Sequence, residues 1–493
     1  PTLVAQSIGG GGGFSLLTAR GNGTTQIGSK TNSGTATAGN VDLTVTSLLQ
    51  TQGEFSTALT AQSIGGGGGY TGSALGNANF GASQVSGNLS SGNVVANLTG
   101  NVITTGNNSS ALVVQSIAGG GGFGAQVIGN ATLGMTSSAT GNANAGSITF
   151  SGSGDQVITQ GTDAPAIVLQ SIGGGGGWIG DVGGNATLGA TQIGSTNAGS
   201  IDAKINYKTI QTSGTNATGI LTQAIAGGGG FTGRTTGNIL NLGGTITGES
   251  TSVSGDVTLT NNATINTFGL NSAAVIAQSV GGGGGASATS DGEMIRLGGI
   301  STAAGSSGLP TISSGNVAVT NTQNISTNAV GSVGLLSQSI AGGGGYIAQL
   351  GEEANYQIIY GTNGAANASA GDVTVQNSGD QIVTSSNSSP TLVAQSIGGG
   401  GGFSLLTGTG KGTTQIGSKN NSGSATAGNV DLTVTSLLQT QGEFSTALTA
   451  QSIGGGGGYT GSAFGDATFG ASQVSGNLNS GNVVANLTGN VIT

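Results

Sequence analysis

Apolar and polar residues alternate along this chain in short bursts. In Val41-Asp42-Leu43-Thr44-Val45 every second side chain is apolar. Leu49-Gln50-Thr51-Gln52 repeats the alternation and stops at Gly53. Ala58-Leu59-Thr60-Ala61-Gln62-Ser63-Ile64 is a third burst, and glycines follow it. A period of two over a few residues, bounded by Gly, Asn and Ser, is the pattern of a strand. The triplet recurs as Val257-Thr258-Leu259, Ile265-Asn266-Thr267 and Ala274-Val275-Ile276-Ala277. No long segment carries a 3.6 period, so the pattern predicts an all-β chain.

The bursts recur on a fixed beat. The segment Ala-Gln-Ser-Ile followed by glycines places its Gln at Gln6, Gln62, Gln115, Gln170, Gln223, Gln278, Gln338, Gln395 and Gln451. A second motif, [Ala/Ser]-Gly-[Asn/Asp/Ser]-[Val/Ile], has its Gly at Gly39, Gly92, Gly146, Gly199, Gly255, Gly315, Gly371, Gly428 and Gly481. The interval from this Gly to the next Gln is constant to within one position, as from Gly39 to Gln62 and from Gly92 to Gln115. The interval from the Gln to the next such Gly varies, from Gln170–Gly199 at its shortest to Gln278–Gly315 at its longest. Stacked coils in register require a fixed length, and surface loops tolerate a variable one. The expected fold is therefore a β-solenoid, or β-helix, of nine tandem units of about 55 residues. A unit of that length is expected to make two or three coils, giving roughly 10–14 Å of axis per unit and a rod of roughly 90–130 Å.

A longer repeat overlies the short one. Residues 1–104 and 390–493 align without gaps and differ at nine positions. Residues 1–493 thus read as one continuous array, with 1–389 a seven-unit super-repeat and 390–493 the first two units of the next. Neither end carries a divergent capping unit, and no signal sequence follows Pro1, so the array is expected to be a window of a longer chain.

The glycine runs need a reason. Each Gly in a strand weakens it by roughly 0.5–1 kcal/mol relative to Ala. Three runs open with Ala (Ala118, Ala226 and Ala341), but the last four positions are Gly in all nine copies. Either those positions take positive φ, or another backbone packs directly on them; a flexible hinge is the bland alternative. The repeated Gln is expected to form an amide ladder along the rod, or to satisfy the glycine backbone. An aromatic follows the run in eight copies: Phe14, Tyr70, Phe123, Trp178, Phe231, Tyr346, Phe403 and Tyr459, with Ala286 the exception. The structural reading is a stacked row, and the functional one is an exposed track for sugars.

Composition removes most chemistry. The chain has no His and no Cys, which excludes triads containing His, Cys nucleophiles, Cys/His zinc sites and disulfides. Eight Lys and Arg against seventeen Asp and Glu give a net charge of −9, which argues against nucleic acid. No apolar stretch is long enough to span a membrane as a helix. No Gly-Lys-[Ser/Thr] follows any glycine run, and no Asp recurs at the place a repeated calcium motif needs. Asp256 and Asp372 occupy a slot held elsewhere by Asn or Ser, which reads as a turn position rather than a metal ligand. The close acidic groups in sequence are Glu352-Glu353 and Asp291 with Glu293, the only places to seek the paired carboxylates of a β-helix glycosidase. No cofactor, metal site or enzyme activity is expected.

The string Ala-Gln-Ser-Ile-Gly-Gly-Gly-Gly-Gly, preceded at the constant interval by a Gly-[Asn/Asp]-Val strand, resembles the repeats of giant bacterial autotransporter-type (type V) surface proteins and adhesins. The resemblance covers all nine units and implies a secreted β-helical passenger on a bacterial surface. The expected function is an extracellular structural rod or filament: an adhesin stalk, or a fibre whose polyglycine surfaces pack rod on rod. Expected partners are copies of itself, end to end or side by side, and a host or neighbouring-cell surface or polysaccharide. The alternative is a polysaccharide-binding or polysaccharide-degrading β-helix protein.

Overall fold

The structure is a computed structural model. It describes all residues except 19–22, 30–33, 83–85, 136–140, 191–193, 248, 303–308, 352–354, 363–365, 406–410, 419–422, 462–465 and 471–475. Among the described residues there is no helix, and the strands stack as parallel ladders. Four sheets hold nine strands each, and an outer sheet holds sixteen.

One unit shows the path. The chain runs along the outer sheet as Val94–Thr99 and Val102–Thr104, then turns inward as Leu112–Ala118. It reverses at two glycines and returns as Gly121–Val127. It turns again into Ala131–Leu133, and a short strand, Ala143–Asn144, leads back to the outer sheet. The Gln, aromatic and motif-Gly segments thus occupy different parts of a single coil.

The register sets the rise. Leu112 pairs with Leu59 on one side and Ile167 on the other, so each residue stacks on its counterpart one unit away. Each unit is therefore one coil, not the two or three expected. At about 4.8 Å between strands, nine coils rise roughly 43 Å instead of 90–130 Å. The longer expectation winds the strands of one unit into successive coils. The glycine reversal instead tucks a strand pair inside the coil, so a whole unit makes one wide turn.

The extra strands create three apolar layers. Val94, Ala96 and Ile148 of the outer sheet pack against Leu112, Val114 and Leu169 of the Gln-bearing sheet. The opposite face of that sheet sends Val113, Val168 and Leu221 against Phe123, Trp178 and Phe231. Ile179 and Val182 on the aromatic-bearing strand meet Leu133 and Leu188 of the next sheet. The Gln-bearing strand is consequently buried on both faces, whereas Val94–Thr99 alternates buried and accessible positions. That contrast explains why the Gln-bearing strands lack the clean period of two seen in the outer strands.

Candidate functional site

The nine Gln side chains form one row through the interior. Each Nε2 donates to the Oε1 one coil on: Gln6 to Gln62 at 2.6 Å, Gln115 to Gln170 at 2.7 Å, and so to Gln395 and Gln451 at 2.7 Å. In four coils the Nε2 also donates to a glycine carbonyl further along its own coil, as Gln115 does to Gly122 at 3.3 Å and Gln170 to Gly177 at 3.2 Å. The ladder and the satisfaction of the glycine backbone are one arrangement, since a carboxamide has donors for both.

The Ser beside the Gln has a separate task. Ser63 Oγ donates to the carbonyl of Gly39 and accepts from the NH of Gly92, both at 2.8 Å. Ser116 bridges Gly92 and Gly146 in the same way, and Ser339 bridges Gly315 and Gly371. This clamp joins successive motif glycines, which accounts for their constant distance from the Gln-Ser pair. The clamp was legible only as an unexplained Ser in eight copies, broken at Ala224. The following motif position ties coils too: Asp256 accepts from the NH of Asn316, and Asp372 from that of Asn429, so both serve as turn residues.

The glycine run is a rigid reversal. Gly119 to Gly122 have φ of 97°, 80°, 138° and 142°, values matched in the neighbouring coils. A Cβ on Gly121 would strike the Gly176 carbonyl one coil on, and a Cβ on Gly122 would strike Gly69 one coil back. Positive φ and direct backbone packing therefore both hold, and the hinge reading does not. The backbone is also paired between coils, as in Gly119 N and Gly120 N to Gly65 O, each at 3.0 Å.

The aromatics stack inside the coil. Ring centroids lie 5.0 Å apart for Phe14 and Tyr70, 5.2 Å for Tyr70 and Phe123, and 4.3 Å for Trp178 and Phe231, with near-parallel planes. The row breaks at Ala286 and resumes with Tyr346, Phe403 and Tyr459. The rings from Tyr70 to Phe403 are at most 1% exposed, so they offer no track to a sugar. Between Tyr70 and Phe403 both the rings and the glycine runs are buried within the rod, whereas Phe14, Gly11 and Gly12 are exposed in the first coil.

A cleft of about 480 Å³ is the place where charge collects. It lies at the other reversal of the coil, just before the Gln-bearing strand. There Asn108, Asp163, Asn216 and Asn271 stack in successive coils with φ of 52–57°. Their side chains line the cleft, facing Asp181, Arg234 and Thr289 from the end of the aromatic strand. Asn216 Nδ2 donates to Asp163 Oδ1 at 2.9 Å, Gln126 Nε2 to Asp181 Oδ2 at 3.2 Å, and Arg234 Nη2 to Asp291 Oδ2 at 3.3 Å. Asp163 is only 4% exposed. Burial pushes its carboxyl up to about 8; Asp181 adds to the rise, and the Asn216 amide and Arg234 oppose it.

Sequence proximity missed this meeting. Asp163 and Asp181 stand well apart in the chain, on opposite sides of a glycine reversal. Asp291 faces the cleft, but Glu293 lines a separate one with Tyr356 and Gln357. Glu352 and Glu353 lie outside the described residues. Among the described residues, no group of three or more acidic side chains gathers as a metal cluster would, and no helix is long and apolar enough to cross a membrane. No protein-family model, curated protein or solved structure matches this chain.

Proposed function

We propose that this chain is an extracellular structural segment, a stiff β-solenoid that spaces a surface-borne protein away from a bacterial cell. The observation that carries the reading is the unbroken Gln row, in which eight side-chain hydrogen bonds tie all nine coils into one body. Parallel ladders, a stacked aromatic row and the Ser–Gly clamp repeat the same coupling in other layers. Side chains spent this way serve rigidity, and a residue used nine times is not a catalyst. Without Cys, the rod draws no stability from disulfides.

A single-chain stalk fits better than a bundled fibre, because the glycine and aromatic registers are consumed within one coil. A glycosidase would need two carboxylates reaching a sugar. The cleft brings together Asp163, Asp181 and Asp291; Asp163 is too buried to touch a glycosidic oxygen, and Asp291 is tied to Arg234. Electron microscopy of the native extracellular material tests the proposal. Thin unbundled rods with an axial spacing of about 4.8 Å support it. Bundled fibres would replace the stalk with a filament, and shapeless material would end both readings.

A further inference from the structure

The cleft beside Asp163 departs from the amides that occupy most of the same positions in the adjacent coils. At the reversal, the neighbours of Asp163 in the stack are Asn108 and Asn216; along the facing strand, the register of Asp181 is Gln126 below it and Arg234, Thr289 and Gln349 above. One coil therefore places two carboxylates where adjacent coils place mostly amides. Three Asp side chains, Asp163, Asp181 and Asp291, share the cleft with one cation, Arg234, whose guanidinium bonds Asp291.

A second observation points to a ligand. Asn108 is 7% exposed and lines the same cleft, yet its Oδ1 has no hydrogen-bond partner. A buried acceptor left unmade costs roughly 1–3 kcal/mol. The space around it is also shaped. Gly180 and Gly233 stand where the coils directly below and above carry Ala125 and Ala288, although Gly72 and Gly461 hold the same register elsewhere. A Cβ on Gly180 would lie 2.7 Å from Asn108 Oδ1, and one on Gly233 would lie 2.5 Å from Asp163 Oδ1. The missing methyl groups leave these oxygens room.

We propose that this cleft binds one hard divalent cation, Ca²⁺, through the carboxylates of Asp163 and Asp181 and the Oδ1 of Asn108, with water completing the shell. All three donors are oxygen, and the site has no soft ligand. The donors come from two successive coils and from two different strands and turns, a set without octahedral symmetry, which suits the flexible coordination of Ca²⁺ better than the strict octahedron of Mg²⁺. The ion would neutralise the paired carboxylates and occupy the unpartnered acceptor. It would also pin the reversal of one coil to the coil below, adding a cross-link at a single level of the rod.

The sole Trp, Trp178, precedes Asp181 on the same strand and supplies the probe. Tb³⁺ bound in the cleft should emit on excitation of Trp178, and Ca²⁺ should displace it with a Kd of ~0.1–1 mM, the range of extracellular calcium modules. Two substitutions copy residues already tolerated in adjacent coils: Asp163→Asn follows Asn108 and Asn216, and Asp181→Gln follows Gln126. Each should keep the β-sheet circular dichroism of the full chain and weaken Ca²⁺ binding at least tenfold. If the wild-type chain gives no saturable, Ca²⁺-displaced emission, the site does not exist. The same conclusion follows if either folded variant binds as the wild type does. A chain without Ca²⁺ response that becomes more stable on Asp163→Asn would show that a proton on Asp163, not a cation, fills the gap beside Asn108.

Discussion

Each coil reverses twice around its Gln-bearing strand, and both reversals use left-handed backbone. At the far end the residues are glycines in every coil. At the near end they are Phe55, Asn108, Asp163, Asn216, Asn271, Gly331, Ser388 and Phe444, with φ of 51–58° for all but Gly331 at 74°. The difference is where a Cβ would go. At the glycine reversal it would enter the backbone of the next coil. At the other reversal there is room for a side chain, and the strain of positive φ on a non-Gly residue is the smaller cost. One corner is thus closed to variation, while the other is free to differ from coil to coil. The charged cleft stands at the second corner, where a single coil can carry its own side chain.

The sharpest way to break this contrast is a methyl group. Gly176→Ala should cost more than ~4 kcal/mol or prevent folding, since it adds positive-φ strain to a clash with Gly229 of the next coil. Gly173→Ala, at the start of the same run, should cost less: its φ is not left-handed and Ala118 and Ala226 hold that register in the adjacent coils, so the remaining cost is a shift of the Asn197 backbone away from the new Cβ. Denaturant titration of the two variants reads the difference. If they are equally harmful, register-specific packing is not what demands glycine.

Removing a rung of the Gln row comes next. Gln170→Ala deletes its bonds to Gln115 and Gln223 and leaves their buried amides short of partners. A loss of ~2–5 kcal/mol is expected, seen as a lower denaturation midpoint.

At the variable corner the effect depends on pH. The folded carboxyl of Asp163 titrates at about 8, well above the unfolded value of 3.8. Between these values the folded state holds a proton that the unfolded chain has released. In chelator, the stability due to this group is therefore full below the unfolded value, falls as pH rises towards the folded one, and is flat beyond. Asp163→Asn should remove that decline, and melts at acidic, neutral and alkaline pH check it. Smallest is the repair of the Ser clamp. Ala224→Ser should add up to ~1 kcal/mol by bridging Gly199 and Gly255, measured as a raised midpoint.

Much of the fold could be read from the chain. The alternating bursts at Val41–Val45 and Leu59–Gly65 are strands, and the Gln beat is the coil beat. The internal architecture was not legible. A strand that begins with two glycines, such as Gly121–Val127, violates propensity, and only stacking on identical neighbours makes it a strand. Strands buried on both faces lose their alternation, so layer order has no periodic trace. The charged cleft was hidden for a different reason: Asp163 and Asp181 meet only because the glycine reversal returns the chain beside its own corner. The single sign of it was an Asp at a turn where neighbouring units hold Asn.

The central claim, that each repeat unit is one coil, can be measured as a distance. The chain has no Cys, so spin labels can be placed cleanly at Asn93→Cys and Asn316→Cys, two exposed turn positions four units apart. One coil per unit predicts a backbone separation of about 19 Å between them by pulsed electron spin resonance. A separation on the order of 40–55 Å, as two or three coils per unit would give, would contradict the account.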